Sequence, residues 1–152
     1  MGVGVSRDSG GYRLGLMRHL LNVAVRIGVR TGIAPKRFHL LTVRGRKSGR
    51  LQSTPIVALT RGEERWLVAP YGEREWVKNA RAVGRVTLSR AFHKETVIVE
   101  EVGALEAAPV LKQYLAETPI TRRFFRVAPD APLAEFVREA PQHPVFRLGP
   151  RQ

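Results

Sequence analysis

The chain has 152 residues, of which 43% are apolar, so it is long enough for one domain with a buried core and is not disordered by composition. It contains no cysteine, which excludes disulfides, thiolate metal sites and a cysteine nucleophile. Lys and Arg number 26 against 13 Asp and Glu, and the net charge of +13 predicts an anionic partner: a phosphate-bearing ligand, a nucleic acid or an acidic membrane surface.

The N-terminal segment is predicted to contain a tail and a basic helix. Residues 1–10 are rich in Gly and Ser and are expected to be flexible. Within 11–34 apolar residues recur at helical spacing, with Arg18, Arg26 and Arg30 on the opposite side. Two interpretations of this helix stay open: it packs on the domain with a solvated basic face, or it lies on an anionic membrane. No apolar run reaches the roughly 18 residues of a membrane span.

Residues 35–150 are expected to form one domain of short, mostly antiparallel strands with helices between and after them. Strands are predicted at 38–44, 53–59, 65–71, 85–90, 95–102 and 143–148. Helices are predicted at 73–82, 104–117, 119–126 and 132–140, with Pro109 at an early helical position or at a break. This order indicates an α+β fold, a small β-barrel or sheet with helical cover, rather than the βαβ units of a Rossmann fold.

The turn between the first two predicted strands is far more basic than a solvated turn requires. It combines two glycines, Gly45 and Gly49, with Arg44, Arg46, Lys47 and Arg50. Glycine-containing turns let several backbone N–H groups point at one anion, and arginine can bind a phosphate through two parallel hydrogen bonds. Ser48 adds a hydroxyl donor. The turn therefore suits a phosphate or polycarboxylate tail, although a solvated turn is the plain alternative.

A second segment, from Trp66 to Asn79, predicts a surface for a flat ring. The third strand ends in small residues and turns into a helix, and Pro70 and Gly72 allow a ring to approach closely. Other chemistry lacks support: the four histidines show no metal-ligand spacing, no carboxylate pair stands out, and Ser48 lies outside a nucleophile elbow. If the protein is an enzyme, we expect a bound cofactor to carry the chemistry and no metal to be needed.

These segments occur together in an order that resembles the deazaflavin-dependent nitroreductase family, whose members are actinobacterial reductases that use coenzyme F420. The resemblance rests on GRKSG at 45–49, on Thr54-Pro55 and on W-x-x-N-x-R-A at 76–82, with VAPYGE at 68–73 and HPVF at 143–146. It covers about residues 35–150. It implies a split β-barrel like that of flavin-mononucleotide oxidases, with an N-terminal helix and flanking helices.

The resemblance also implies roles for individual residues, with F420 favoured over FMN as the cofactor. The phosphate and polyglutamate tail would be bound by the turn residues Arg44, Arg46, Lys47, Ser48, Gly49 and Arg50. The ring or its linker would be approached by Thr54, Pro55 and Ile56, lined by Val68, Ala69, Pro70 and Tyr71, and closed on one side by Trp76 and Asn79. Tyr71 is the nearest candidate proton donor, with solvent as the alternative source.

The function implied is hydride transfer from reduced F420 to a small planar acceptor such as a quinone or nitroaromatic. The rival interpretation is a non-catalytic binder of a fatty acid, haem or F420 on the same barrel, associated with a membrane surface. Nucleic-acid binding is disfavoured, because few aromatics interleave with the basic residues. We expect a cytoplasmic protein, a monomer or homodimer, that can lie on the inner face of the cell membrane through its N-terminal helix.

Overall fold

The computed structural model describes residues 22–32 and 35–151. Residues 22–31 form a helix, α1, so this part of the predicted N-terminal helix is helical; the tail and the start of that helix lie outside the described residues. Val29 of α1 is buried and its carbonyl accepts the Ala91 N–H at 2.9 Å, while the Arg26 guanidinium donates to the Ser53 carbonyl. Within the described ranges, no helix has the length and apolar character to cross a membrane.

Six strands form a closed barrel in the order β1-β2-β3-β6-β5-β4, and every neighbouring pair is antiparallel. The strands are β1 Phe38–Arg44, β2 Leu51–Arg61, β3 Glu64–Val68, β4 Arg85–Arg90, β5 His93–Glu101 and β6 Val145–Arg151. The remaining helices are α2 Glu75–Val83, α3 Ala104–Glu117 and α4 Leu133–Glu139, with 3₁₀ segments at Pro119–Phe124 and Ala140–Gln142. The predicted α+β barrel with flanking helices is confirmed.

The apolar residues divide into two cores because successive strand residues point to opposite faces. The first core takes side chains from all six strands and fills the barrel, and Val77 and Ala80 of α2 close one end of it. The second core lies on the outer face of β2, β3 and β6, beneath α3 and α4. Strands β1 and β3 both run antiparallel to β2, so their C-terminal ends lie at the same end of the barrel. This is the end that α2 closes.

The boundaries of β2, β3, β5 and β6 differ from the sequence prediction, and those of β3 and β2 have a clear physical reason. The third strand was expected to reach residue 71 but ends at Val68, because Pro70 has no N–H to donate and Gly72 turns the chain at φ +84°. The second strand is longer than predicted and passes through Pro55. Proline is tolerated there because β2 pairs with β1 alone at that position, and its pairing with β3 starts only at Ala58.

The helices after β5 also differ in detail. Helix α3 runs without a break across Pro109, at its sixth residue, so neither the expected early position nor the expected break is observed. The carbonyl that loses its intrahelical donor belongs to Leu105, which lies on the exposed side of the helix where water can replace the bond. The helix expected at 119–126 is a 3₁₀ segment, Pro119–Phe124, with Pro119 at its first position.

Candidate functional site

The basic turn between β1 and β2 is a compact loop closed by its own backbone. The Gly45 N–H donates to the Arg50 carbonyl at 2.7 Å, and the Gly49 N–H donates to the Gly45 carbonyl at 2.9 Å. Gly49 has φ +70°, a conformation that favours glycine. The Arg44 guanidinium donates to the Gly49 carbonyl at 2.6 Å. The glycines predicted from the sequence therefore shape the loop, and one of its four cations is used to close it.

A second cation of the turn, Arg46, is held by helix α2. Asn79 is only 1% exposed, and its Oδ1 accepts both the Arg46 backbone N–H at 3.1 Å and the Arg46 guanidinium at 2.8 Å. The guanidinium also donates to Glu75 Oε2 at 2.9 Å. This hydrogen bond lowers the pKa of the Glu75 carboxyl. Asn79 in turn donates to Gln52 Oε1 at 3.2 Å, so both arms of the turn are attached to α2.

The tip of the turn remains open to an anion. Within the part of the chain that the structure describes, the side chains of Lys47 and Arg50 are exposed and make no hydrogen bond or ion pair. The backbone N–H groups of Lys47 and Ser48 likewise find no protein acceptor among the described residues, while the Ser48 hydroxyl accepts the Arg50 N–H at 3.2 Å. Two free cations beside two free N–H groups are the arrangement that binds phosphate or carboxylate groups.

The predicted ring surface after β3 lies at the same end of the barrel as the basic turn, because β1 and β3 both run antiparallel to β2. Val68 and Ala69 are buried in the two cores, so their side chains are not available to a ligand. Tyr71 is 50% exposed, and its ring meets Phe124 edge-on with the centroids 4.6 Å apart. Pro70 and Tyr71 line a cavity of about 230 Å³.

The other predicted contacts are divided between core and surface. Ile56 is buried in the barrel core. The Trp76 ring packs against this core, and its centroid lies 5.7 Å from that of the Phe146 ring. Thr54 and Pro55 are partly buried on β2. A ligand ring could therefore reach Ile56 only through backbone atoms.

The cavity is built from more than the predicted segment. Its remaining walls come from the 3₁₀ segment after α3, from α4 and from the start of β6: Gly72, Phe124, Arg126, Glu139, Gln142 and His143. Sequence reasoning took His143 for a surface or packing residue and did not select Glu139. The ring of His143 does stack on Phe125 at 3.9 Å, but it also forms a 2.9 Å hydrogen bond to Glu139. The i,i+4 spacing of the two residues is a signal in the sequence that could have identified the pair.

No metal site emerges: among the described residues, no three or more His, Asp or Glu side chains lie close enough together to hold an ion. The sequence model of the F420H(2)-dependent quinone reductase family matches residues 16–124. The chain belongs to this family. It is accordingly an F420-dependent oxidoreductase, and coenzyme F420 is its cofactor. A search of curated proteins found no significant match.

Solved structures resemble this F420-dependent reductase in fold. One is titled as the structure of the F420-H2 dependent reductase FDR-A; it has 20% identity and a TM-score of 0.52, and the match covers 74% of this chain and 94% of that one. A chain described as a domain-swapped dimer has 18% identity, a TM-score of 0.53 and coverages of 93% and 99%. A NimC/NimA family protein from Clostridium acetobutylicum has 11% identity, a TM-score of 0.52 and coverages of 88% and 81%.

The residues of the basic turn fit the anionic part of the F420 molecule. The two side chains and two N–H groups named above are all hydrogen-bond donors, and the Glu75 carboxylate is paired with Arg46. An anion approaching the tip therefore meets donors rather than an unpaired carboxylate. A cationic ligand would be repelled by Lys47 and Arg50, so the turn favours an anionic ligand.

Proposed function

We propose that this oxidoreductase reduces a quinone, or a nitroaromatic of similar shape, with reduced F420. Bound F420 supplies the hydride. The observation that carries the proposal is the position of two complementary features at the end of the barrel that α2 closes. These are the free cationic tip at Lys47 and Arg50, whose turn is bound by Asn79 of α2, and the cavity beside Tyr71, just before α2 begins.

In this proposal the basic turn binds the phosphate and glutamate tail. Lys47 and Arg50 provide the mobile charge, and the N–H groups of Lys47 and Ser48 provide fixed donors. Arg46 acts differently from the sequence expectation: its guanidinium is committed to Asn79 and Glu75, so it positions the turn and contributes long-range charge. Arg44 and Gly49 keep the loop closed.

The ring is proposed to lie over the segment after β3, with Pro70 and Tyr71 beside it. Trp76 and Asn79 support this region from α2 through packing and hydrogen bonds. The cavity beyond Tyr71 would hold the acceptor. Its volume of about 230 Å³ suits a one- or two-ring head group, because pockets for drug-sized ligands usually start near 300 Å³. The edge-on pair of Tyr71 and Phe124 provides an apolar rim for a planar molecule.

The test is anaerobic oxidation of reduced F420 with a panel that contains menadione and a nitroaromatic. We expect the protein to accelerate oxidation by menadione well above the protein-free rate, and the relative rates to identify the preferred class of acceptor. If the protein binds reduced F420 but no acceptor in the panel is reduced faster than in its absence, the reductase proposal fails. A binder on the same barrel would then be the better account.

A membrane-surface location stays a separate proposal for this chain. It is supported by the helix α1, where Val23 and Ile27 are exposed one turn apart and Arg30 is exposed nearby. Co-sedimentation with vesicles containing anionic lipid, at low and high salt, tests it. The proposal is supported if wild type sediments with the vesicles while the Val23→Ser/Ile27→Ser variant stays in solution. It is refuted if wild type stays in solution at low salt.

A further inference from the structure

The cavity beside Tyr71 contains a buried acid–base pair. His143 is 3% exposed and Glu139 is 6% exposed, and both line the cavity wall. His143 Nε2 lies 2.9 Å from Glu139 Oε1, and His143 Nδ1 lies 2.9 Å from the Pro70 carbonyl oxygen. Glu139 Oε1 also accepts the Arg126 backbone N–H at 3.0 Å. Buried ionisable groups of this kind require partners, and here the partners are specific.

The geometry determines how many protons the pair holds. A carbonyl oxygen can only accept, so His143 Nδ1 must carry a hydrogen; otherwise two lone pairs would face each other at 2.9 Å. A second hydrogen must then lie between Nε2 and Oε1, since neither a bare Nε2 nor a carboxylate can donate. It sits on the ring, giving imidazolium and carboxylate, or on the carboxyl, giving neutral partners. In both forms the pair stores one transferable proton away from water.

We propose that Glu139 and His143 donate the proton that accompanies hydride transfer to the acceptor. Reduction of a quinone to a hydroquinone requires one hydride, which carries two electrons, and one proton. The hydride comes from reduced F420 and the proton from the pair, which becomes neutral imidazole and carboxylate. Water then returns the proton. The inference rests on the proposed quinone reduction, and it replaces Tyr71 as the proton source.

Position favours the pair over Tyr71 for this task. Glu139 and His143 both line the cavity proposed for the acceptor, so the proton between them lies in the wall of that cavity. The pair is buried, and general acids act best where water does not compete. Tyr71 is half exposed at the rim, where its ring packs edge-on with Phe124 and is suited to holding a planar molecule.

The experiment compares wild type with Glu139→Gln, which keeps the shape of the side chain but cannot store the proton. Single-turnover oxidation of reduced F420 by menadione is measured across pH, in water and in D₂O. Loss of a general acid costs about 10²–10⁴-fold in rate, so we expect Glu139→Gln to be at least about 10²-fold slower with unchanged F420 affinity. Its solvent isotope effect should also change. Glu135→Gln, at an exposed position of the same helix, is the matched control and should match wild type.

A second readout needs neither turnover nor a variant. Wild-type protein labelled with ¹⁵N-histidine reports the protonation of the His143 ring nitrogens by NMR. Nδ1 should show the shift of a protonated nitrogen, and Nε2 the shift of a nitrogen that shares its proton with Glu139. Menadione with oxidised F420 should shift the His143 signals but leave those of exposed His93 unchanged.

The proposal is overturned if Glu139→Gln matches the wild-type rate and isotope effect, or if menadione leaves the His143 signals unmoved. Failure of the proposed function is a different result: wild type itself would not accelerate the oxidation of reduced F420 by menadione or any other acceptor in the panel. A Glu139→Gln protein that does not fold leaves the NMR result to decide.

Discussion

Asn79 holds Arg46 through two hydrogen bonds to one oxygen atom, one from the Arg46 backbone and one from its guanidinium. The Asn79 side chain is buried beneath the basic turn, so these bonds are shielded from water. The relationship links the β1–β2 turn to helix α2, and it separates the cations of the turn into fixed and free groups.

Asn79→Ala should therefore destabilise the protein and weaken its binding of F420. It leaves donors of Arg46 without their partner, which typically costs about 1–3 kcal/mol in the free energy of unfolding. Urea denaturation measures this loss, and F420 titration measures the binding. Lys47→Ala is the matched comparison, because it should weaken binding and leave stability unchanged. If Asn79→Ala unfolds at the wild-type urea concentration, Asn79 does not hold the turn.

Gly45→Ala should disturb the same turn for a steric reason. A Cβ at this position would lie 2.6 Å from Ser48 Oγ and 3.3 Å from the Arg50 carbonyl oxygen. Ser48 can rotate away only by giving up its hydrogen bond from the Arg50 N–H, worth about 0.5–1.5 kcal/mol. We expect a lower melting temperature and weaker F420 binding. Gly103→Ala, where an added Cβ meets no atom within 4 Å, is the control for binding and should leave the F420 affinity unchanged. Its melting temperature is not compared, because Gly103 is the N-cap of α3 and alanine is a poorer cap.

Much of this architecture could be predicted from the sequence. Local sequence patterns predict the short apolar strands, the glycine-containing turns and the concentration of charge at residues 44–50. The free and the committed cations could not be separated, because Arg46 is bound by Asn79, 33 positions away. The pair of Glu139 and His143 was missed for the same reason: its meaning depends on the Pro70 carbonyl, 73 positions from His143.

Tyr114 gives the fold a specific sensitivity to alkaline pH. Burial raises the pKa of its hydroxyl from 10.0 to about 12. Between these values the unfolded chain loses the proton while the folded protein keeps it, so stability falls as pH rises above about 10. The loss can reach about 3 kcal/mol, at 1.36 kcal/mol per pKa unit. Unfolding free energies of wild type and Tyr114→Phe should diverge in slope above pH 10; parallel curves would contradict the assignment.

Tyr71→Phe should retain most of the reductase activity. The ring keeps its edge-on contact with Phe124, and the proposed proton source is the pair of Glu139 and His143. We expect the single-turnover rate with menadione to fall by much less than the roughly 10²-fold that loss of a general acid costs. Tyr71→Ala, which removes the ring, should instead raise the KM for menadione. A loss of 10²-fold or more in Tyr71→Phe would make Tyr71 the acid.

The claim that the basic turn binds the F420 tail is tested most directly by fluorescence titration. Two ligands are compared, F420 and the same deazaflavin without its phosphate and glutamate tail. Each is titrated with wild type and with Lys47→Ala/Arg50→Ala. Charge-assisted hydrogen bonds contribute about 1.5–3 kcal/mol each, so we predict that wild type binds F420 at least about 10²-fold more tightly than the tailless ring. The double variant should lose most of that preference, because only the backbone N–H groups and Arg46 then remain for the tail, and it should keep its affinity for the ring. Equal affinity of wild type for the two ligands, or an unchanged preference in the double variant, would contradict the account.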